Sequence, residues 1–560
     1  MTILEKNIQA LLSGVNEPLG NKLLNFIQNK TCSRFNIDEN LNIYDKTHNV
    51  FMYENLEEEI NFFYQSILEK THRYPFACIY GIGNALLIKN LSKHYKHLFI
   101  FESEIELFIL ALSVIDLSEE LKVYKVVLFD CVAKDLEIQI AMIFDQQSIL
   151  EYLSLYEMFI SSHYYLKYYE TSILSLNELC IKSASVAIRN ADITCFLPLL
   201  THGQFLQNIP SMLESIPFQR ILSERKNKFE NAIVVSAGPS LAKQLPLLKA
   251  YQDKAVIFCA DGALSMLEKE GIVPDYVTNL DFTDLAMKFF QNKENKTSLN
   301  ILSCATHPNL VHFLDNKSVI LRDDPLYQRF NLNDFGYIGT GTHVSHFSYT
   351  LALALGFKNI IMIGQDLAFD EKGNSHSKGF DFGEKFSGEE NIDKLKVPAY
   401  AGKGEVLTHI TWNDYRIKLE YLFACNDQKA KFYNATEGGA RINFTEELSF
   451  KECCEKLLTK EKPKFELPKS LTKNRSDKLL VKFKEKIQKD QENAKRFLDD
   501  ALALKQILEN ILSKDFLLPL EFLEKVYQNI ENFNHNLDTD EFIQDEVLRG
   551  AFAYRGKMIA

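Results

Sequence analysis

The sequence predicts an α/β protein: a central, Rossmann-like, mostly parallel sheet with an α/β domain before it and a helical domain after it. Three observations carry this reading. Short apolar runs rich in β-branched residues alternate with helical stretches from Asn231 to about Phe444, the pattern of strands joined by crossover helices and covered on both faces. A smaller alternation of the same kind fills the region before it. The segment after residue 456 has helical periodicity and no strand pattern. We therefore expect domains at 1–225, 226–455 and 456–560. A length prior of roughly 150 residues per domain agrees with three or four.

The first region contains "YPFACIYGIGNALLIKNLSKHYKHLFIFESEIE", which reads as strand, Gly81-Ile82-Gly83 turn, helix, strand and then Glu102. "YKVVLFDC" supplies a third strand. An acidic residue about 20 positions after a glycine turn is the arrangement that holds a ribose in nucleotide-binding units. Leu86 stands where the third glycine would fall. The turn therefore reads either as a nucleotide or S-adenosylmethionine site or as a Rossmann-like unit kept for structure.

The second series opens on "NAIVVSAGPSLAKQLPLLKAY", a strand to Val235, a turn, and a helix expected from Leu241. Gly238 lets a backbone turn sharply or approach a ligand closely. Pro239 suits a first helical turn, and Ser240 offers a hydroxyl there. Free N–H groups and a positive dipole end would then face an anion. The alternative is an ordinary βα turn. Further strands are expected at "AVIFCAD", "YVTNLD", "NILSCA", "SVILR" and "NIIMIGQD", and helices at "ALSMLEKEG" and "HVSHFSYTLALAL". In the latter, Val344, Phe347, Leu351 and Leu355 share one face.

"TKEKPKFELPKSLTKNRSDK" reads as a linker. Beyond it Phe497, Ala501, Leu504, Leu508 and Ile511 form an apolar stripe, with Lys482, Lys484, Lys486, Lys489, Lys495 and Arg496 on the polar faces. This is either a solvated helical hairpin or a docking surface for a protein partner.

Composition narrows the class. The chain is 46% hydrophobic and 25% charged, as soluble globular proteins are. A net charge of −12 argues against broad nucleic-acid binding. The N-terminus lacks a basic segment leading into an apolar core, so no signal peptide is expected. No run reaches the ~18 apolar residues of a spanning helix. Ten scattered cysteines without a CxxC pair fit reduced thiols, and hence a cytoplasmic location.

Polar residues recur where the central strands end. Asp261-Gly262 follows one strand; Asn279 and Asp281 follow another, with Asp284 close by. Gly339, Thr340, Gly341 and Thr342 lead into a helix. Gly364, Gln365 and Asp366 end a further strand, and the chain runs on to His376. Each has a plainer role available: the aspartates and Thr342 as caps or turn formers, His376 as a loop residue. Strand ends of one parallel sheet, however, converge on a single crevice.

In order, "SAGPSL", "CADGA", "PDYVTNLD", "GTGTHVSHFSYTLALALGFKNIIMIGQDLAF" and "GNSHSKG" resemble the motility-associated factor (Maf) family of flagellin glycosyltransferases. The central block is similar to that family's DUF115 domain, itself similar to the bacterial sialyltransferases of glycosyltransferase family 42. The resemblance implies a sialyltransferase-like fold for the sheet. It also implies transfer of a nonulosonic acid, pseudaminic or legionaminic acid, from a CMP-activated donor to Ser/Thr of flagellin, with inversion. By this resemblance Gly238, Pro239 and Ser240 lie against the CMP, although Ala237 replaces an asparagine common there. Asp261, and either Asn279 or Asp281, make nucleotide or sugar contacts. Thr340 and Gly341, followed by Thr342, cradle the donor, and Gln365 lies beside it. His376 falls near a tyrosine that supports the leaving phosphate. The base is a histidine further along the chain, for which His409 is nearest, with His376 and the carboxylate of Asp366 competing.

The chemistry asks for a base to take the hydroxyl proton and for fixed donors around the departing phosphate. A divalent ion at "DFTD" stays open, and no obligatory cofactor or metal is implied. Two other readings remain: an ATP-dependent pyrophosphokinase, since the same domain resembles an archaeal pterin pyrophosphokinase, and a non-catalytic flagellin-binding chaperone.

Overall fold

A computed structural model describes residues 2–539 apart from 15, 73, 151, 191–195, 292–297, 324, 387–393 and 514–517. The chain divides into two compact units, 1–194 and 195–548. The division falls near 194, not at 225, because the next two helices serve the second unit. In Phe196–Glu214, Phe205, Ile209, Met212 and Leu213 are buried with Ile233 and Val235. In Phe218–Arg225, Phe218 and Ile221 are buried with Ala232 and Val234.

In the first unit β1 (Phe35–Ile37), β2 (Ile43–Asp45) and β3 (Val50–Phe51) form a small antiparallel sheet. The strands β4 (Phe76–Tyr80), β5 (His97–Glu102), β6 (Val126–Asp130) and β7 (Met158–Ile160) form a parallel sheet in the order β6-β5-β4-β7. The glycine turn after β4 is filled by protein. A Cβ on Gly81 would strike the Tyr165 ring, and one on Gly83 the Tyr53 hydroxyl. Glu102 is fully buried and accepts hydrogen bonds from Ile82 N–H (3.1 Å) and Tyr165 Oη–H (2.6 Å). It also accepts from Ser103 N–H (2.8 Å) and Glu104 N–H (2.9 Å). Burial outweighs these bonds and pushes its carboxyl up to about 7. Glu102 thus clamps its own turn, as a Rossmann-like unit kept for structure would use it.

The second unit is built on nine strands: β8 (Asn231–Val235), β9 (Val256–Ala260), β10 (Tyr276–Asn279), β11 (Leu299–Ser303), β12 (Lys317–Arg322), β13 (Tyr337–Ile338), β14 (Asn359–Ile363), and, after a hairpin of β15 (Lys394–Pro398) and β16 (Glu405–His409), β17 (Lys431–Asn434) and β18 (Glu446–Glu447). Their order is β13-β12-β11-β10-β9-β8-β14-β17-β18, all parallel. Every residue of β8, β9 and β11 is buried, as the continuous apolar runs require, with one core on each face. The chain winds outward from β8 to β13. The helix Val344–Ala354 then carries it back to β14 on the other side of β8. The sheet therefore has its switch point between β8 and β14, where doubly wound folds open a crevice.

The segment read as a linker is a strap on the second unit. Lys462 pairs with Asp275 at 2.6 Å, and Arg225 donates to Glu466 O at 2.7 Å. Arg220 donates to Lys469 O (2.6 Å) and Ser470 O (2.8 Å). The helix Lys473–Leu512 that follows packs Phe483 against Phe205 and Phe330 and pairs Asp490 with Arg329. The region after 456 is therefore continuous with the central unit as far as it is described. Among the described residues no helix is long and apolar enough to cross a membrane, and the nine cysteines form no disulfide.

Candidate functional site

The site begins with the pairing of β8 and β14, in register from Asn231↔Asn359 to Val235↔Ile363. The loops that leave them are joined by Ser236 N–H to Ile363 O (3.0 Å) and Gly238 N–H to Gly364 O (2.8 Å). A Cβ on Gly238 would lie 2.5 Å from Gly364 O and inside contact distance of the Asp366 carboxylate. The glycine is thus demanded by the meeting of two loops. Ser240 precedes a 3-10 turn, but its side chain makes no cap bond. Its N–H lies 3.2 Å from both Asp366 oxygens and its hydroxyl donates to Asp366 Oδ2 at 2.7 Å. A 3-10 turn, Leu241–Lys243, follows, and the helix starts only at Leu245, with Pro246 in its first turn. The expected helix start beside the glycine turn is therefore displaced, and that turn aims no helix dipole at the crevice.

Asp366 is buried, and burial pushes its carboxyl up to about 6 against the pull of the Ser240 bonds and Lys243. The loop after β17 packs on it from the far side: Ala440 N–H donates to Asp366 O at 2.7 Å. Gly439, at φ 75°, leaves no room for a Cβ there.

At the end of β9, Asp261 accepts from Gly262 N–H (2.7 Å) and Asn279 Nδ2 (2.5 Å). Burial, with a contribution from Asp281, raises it to about 7. Asn279 Oδ1 in turn accepts from Asp281 N–H and Thr306 Oγ1, each at 3.1 Å, so Asn279 holds Asp261 in place. Asp281 Oδ1 caps Thr283 through its N–H (2.8 Å) and hydroxyl (2.9 Å), while Asp284 lies 3.3 Å from His307. The two carboxylates of "DFTD" thus have separate structural partners. Among the described residues no group of three or more His, Cys, Asp or Glu is placed to hold a metal ion.

The N-cap of the helix Val344–Ala354 is His343, not Thr342, and its side chain makes no cap bond. Thr340 is buried, Gly341 (φ 67°) lies over the His346 ring, and Thr342 is exposed. Ser345 Oγ meets Ser236 Oγ at 2.7 Å, and Gln365 Oε1 accepts from Ser236 (2.9 Å) and Tyr349 (3.2 Å).

The segment around His376 folds over the β8 turn. Ser377 N–H donates to Ala237 O at 2.9 Å, and Ala242 N–H to Ser377 Oγ at 3.0 Å. His376 stacks on Phe380 with centroids 3.9 Å apart and planes at 7°, and burial lowers it to about 4. His409 caps the helix Ile410–Ala424 by accepting Trp412 N–H at Nδ1 (3.3 Å), and its ring lies 3.9 Å from the Trp412 ring. Burial and Lys394 hold it near 4.

Together these loops enclose a cavity of about 240 Å³. Of the residues expected at a site, Gly238, Asp261, Gln365, Asp366 and His376 line it. Pro239, Ser240, Asn279, Asp281, Thr340, Gly341, Thr342 and His409 do not; Ser240 and Asn279 act one step back, through the aspartates. His343, Ser236, Ser345, Ser375, Phe380, Trp412 and Tyr415 line it without having been anticipated. His343 was hidden by the better capping chemistry of Thr342 beside it. Trp412, the chain's single tryptophan, and Tyr415 sit three apart on one helix after His409, a spacing that puts them on one face.

The lining thus combines two buried carboxyls, uncharged imidazoles, hydroxyls and aromatic faces, with no Lys or Arg among the described residues. An anion here would be met by hydroxyls and by the backbone N–H groups opening the helix at Val344. Fold and cleft together define a doubly wound α/β protein with a cavity at its switch point. Residues 203–372 match a family model described as 6-hydroxymethylpterin diphosphokinase MptE-like. The match spans β8 to β14 and ends before His376. In structure the chain is similar to the MAf glycosyltransferase from Magnetospirillum magneticum AMB-1, at 15% identity and a TM-score of 0.45, covering 100% of this chain and 94% of that one. No curated protein matches the chain.

Proposed function

We propose that the protein is a glycosyltransferase that moves a nonulosonic acid, pseudaminic or legionaminic acid, from its CMP-activated donor to Ser/Thr hydroxyls of flagellin. One observation carries the reading. Of the motifs that prompted it in the sequence, those in the loops after β8, β9 and β14 meet in one cavity through Gly238, Asp261 and Asp366, while Asn279, Asp281, Thr340, Gly341 and Thr342 lie outside its lining. In this reading hydroxyl and backbone donors surround the leaving phosphate, and the buried acids and aromatic faces take the nucleoside and sugar. The reaction belongs in the cytoplasm, where CMP-sugars and reduced thiols coexist.

Full-length protein incubated with CMP-pseudaminic or CMP-legionaminic acid and flagellin should raise the intact mass of flagellin by whole sugar units. No gain with either donor would overturn the reading. The match to the diphosphokinase family model favours a second one, pyrophosphoryl transfer from ATP to a hydroxymethyl group. Stronger thermal stabilisation by ATP with Mg²⁺ than by CMP would select it.

A further inference from the structure

Trp412 is the chain's single tryptophan, and it stands on the wall of the cavity. Its ring is braced by His409 and Phe369, with centroids 3.9 Å and 4.9 Å away. The segment that carries Phe369 is itself fixed: Thr408 Oγ1 donates to Leu367 O at 2.7 Å, and Phe369 N–H donates to Leu407 O at 2.9 Å. Despite this support the indole is only half-buried. A large apolar ring that is held in place and left partly open offers area that a ligand can cover at little cost in side-chain ordering.

The two ends of the cavity differ in chemistry. On one side of β8, at the end of β9, stand Asp261, Gly262, Phe289 and Phe380, and a Cβ on Gly262 would lie 3.0 Å from the Phe380 ring. The buried carboxyl there supplies the directional partner that the edge of a heterocyclic base requires. On the other side, after β14, the lining is Leu367, Ala368 and Trp412, with Tyr415 three residues on. Asp366 beside them is already engaged by the Ser240 hydroxyl at 2.7 Å. This end offers flat aromatic surface and few uncommitted polar groups. It complements a sugar ring that turns its C–H face inward and keeps its hydroxyls toward water.

We infer that Trp412 is the surface on which the transferred sugar packs, an inference that rests on the glycosyl-transfer reading above. The indole takes no part in bond making. It determines specificity, by separating a donor that carries its sugar from bare CMP.

Because the chain has one tryptophan, indole fluorescence of the full-length protein reports this contact without a label. Wild-type protein is titrated with CMP, CMP-pseudaminic acid and CMP-legionaminic acid. Trp412→Phe, which keeps a ring, and Trp412→Leu, which does not, are compared with it by calorimetry and melting temperature. We expect a sugar-bearing donor to change the emission and CMP to leave it nearly unchanged. Trp412→Leu should bind CMP within about threefold of wild type and the donor about tenfold more weakly, the worth of one large ring contact. Trp412→Phe should fall between them. Wild-type protein that transfers the sugar, with Trp412→Leu or Trp412→Phe at full donor affinity, overturns the inference and leaves the proposed function standing. An equal emission change with CMP alone puts the nucleotide on Trp412 and overturns it as well. Wild-type protein that neither binds nor transfers from either donor overturns both.

Discussion

Asp261 and Asp366 are carboxyls placed where a charge is poorly solvated, and that choice has a measurable sign. Asp261 titrates near 7 in the fold against an ordinary value of 3.8, because burial outweighs its bonds from Asn279 and Gly262. The folded state therefore holds a proton that the unfolded chain has released. This contribution is full below about 3.8 and is lost as the pH rises through 7, at ~1.4 kcal/mol per pKa unit. Without ligand, wild-type protein should melt higher at pH 5.5 than at pH 8. Asp261→Asn, which cannot ionise, should lose that component of the slope. Parallel melting curves for the two proteins would show that Asp261 titrates normally. At Gly238 the clash is with Gly364 O and Asp366, so Gly238→Val should cost stability as well as CMP binding, at least the ~1–3 kcal/mol of an overpacked core. Binding lost at an unchanged melting temperature would instead return the glycine to a ligand-facing role. The sequence made Gly238, Asp261 and Asp366 visible as polar or small residues at strand ends. It did not reveal His343 or Tyr415, since their importance comes from helices aimed at the cavity and not from local pattern.

At the scale of elements, the strands β8 to β12 and β14 were legible because buried parallel strands are uninterrupted apolar runs. The two-residue strands β13 and β18 were not, being too short for any periodicity, and β17 was unread although three of its four residues are buried. The strap at 459–472 misled for a physical reason. Lys- and Pro-rich composition suits a linker, yet Arg220, Arg225 and Asp275 hold it by its carbonyls and by Lys462. The same placement revises how the helical tail can be cut. Ser476 donates to Leu213 O at 2.7 Å and Phe483 is buried among Phe205 and Phe330, so the first half of the helix belongs to the core. Phe483→Ala should lose about 3–5 kcal/mol. A chain ending at Asp499 should lose less than Phe483→Ala, because the helix beyond it exposes Leu502, Leu508 and Leu512, although it uncovers Phe497, which meets the Phe533 ring. If both changes lowered the melting temperature equally, the distal half would be structural too. If flagellin binding fell in the shortened chain while CMP binding held, the distal half would be where the acceptor docks.

At the scale of the molecule, the two units keep separate hydrophobic cores. The first gathers residues from Ala10 to Ala187 around β4 to β6, and the second lies on the two faces of the nine-stranded sheet from Phe205 to Phe483. Two cores of this size have no reason to melt as one cooperative block. Calorimetry should therefore resolve two transitions, and variants assign them. Glu102→Gln replaces an acceptor of four hydrogen bonds with a group that must turn N–H toward donors, so it should lower only the first unit's transition. CMP should raise only the second, by RT ln(1 + [L]/Kd), or ~2.7 kcal/mol at a hundredfold excess over Kd. S-adenosylmethionine should raise neither, since Tyr165 and Tyr53 occupy the approach to the Gly81 turn. A single transition shifted by both Glu102→Gln and CMP would mean that the units are energetically one. A first transition raised by S-adenosylmethionine would mean that Tyr165 swings aside and that the glycine turn is a ligand site after all.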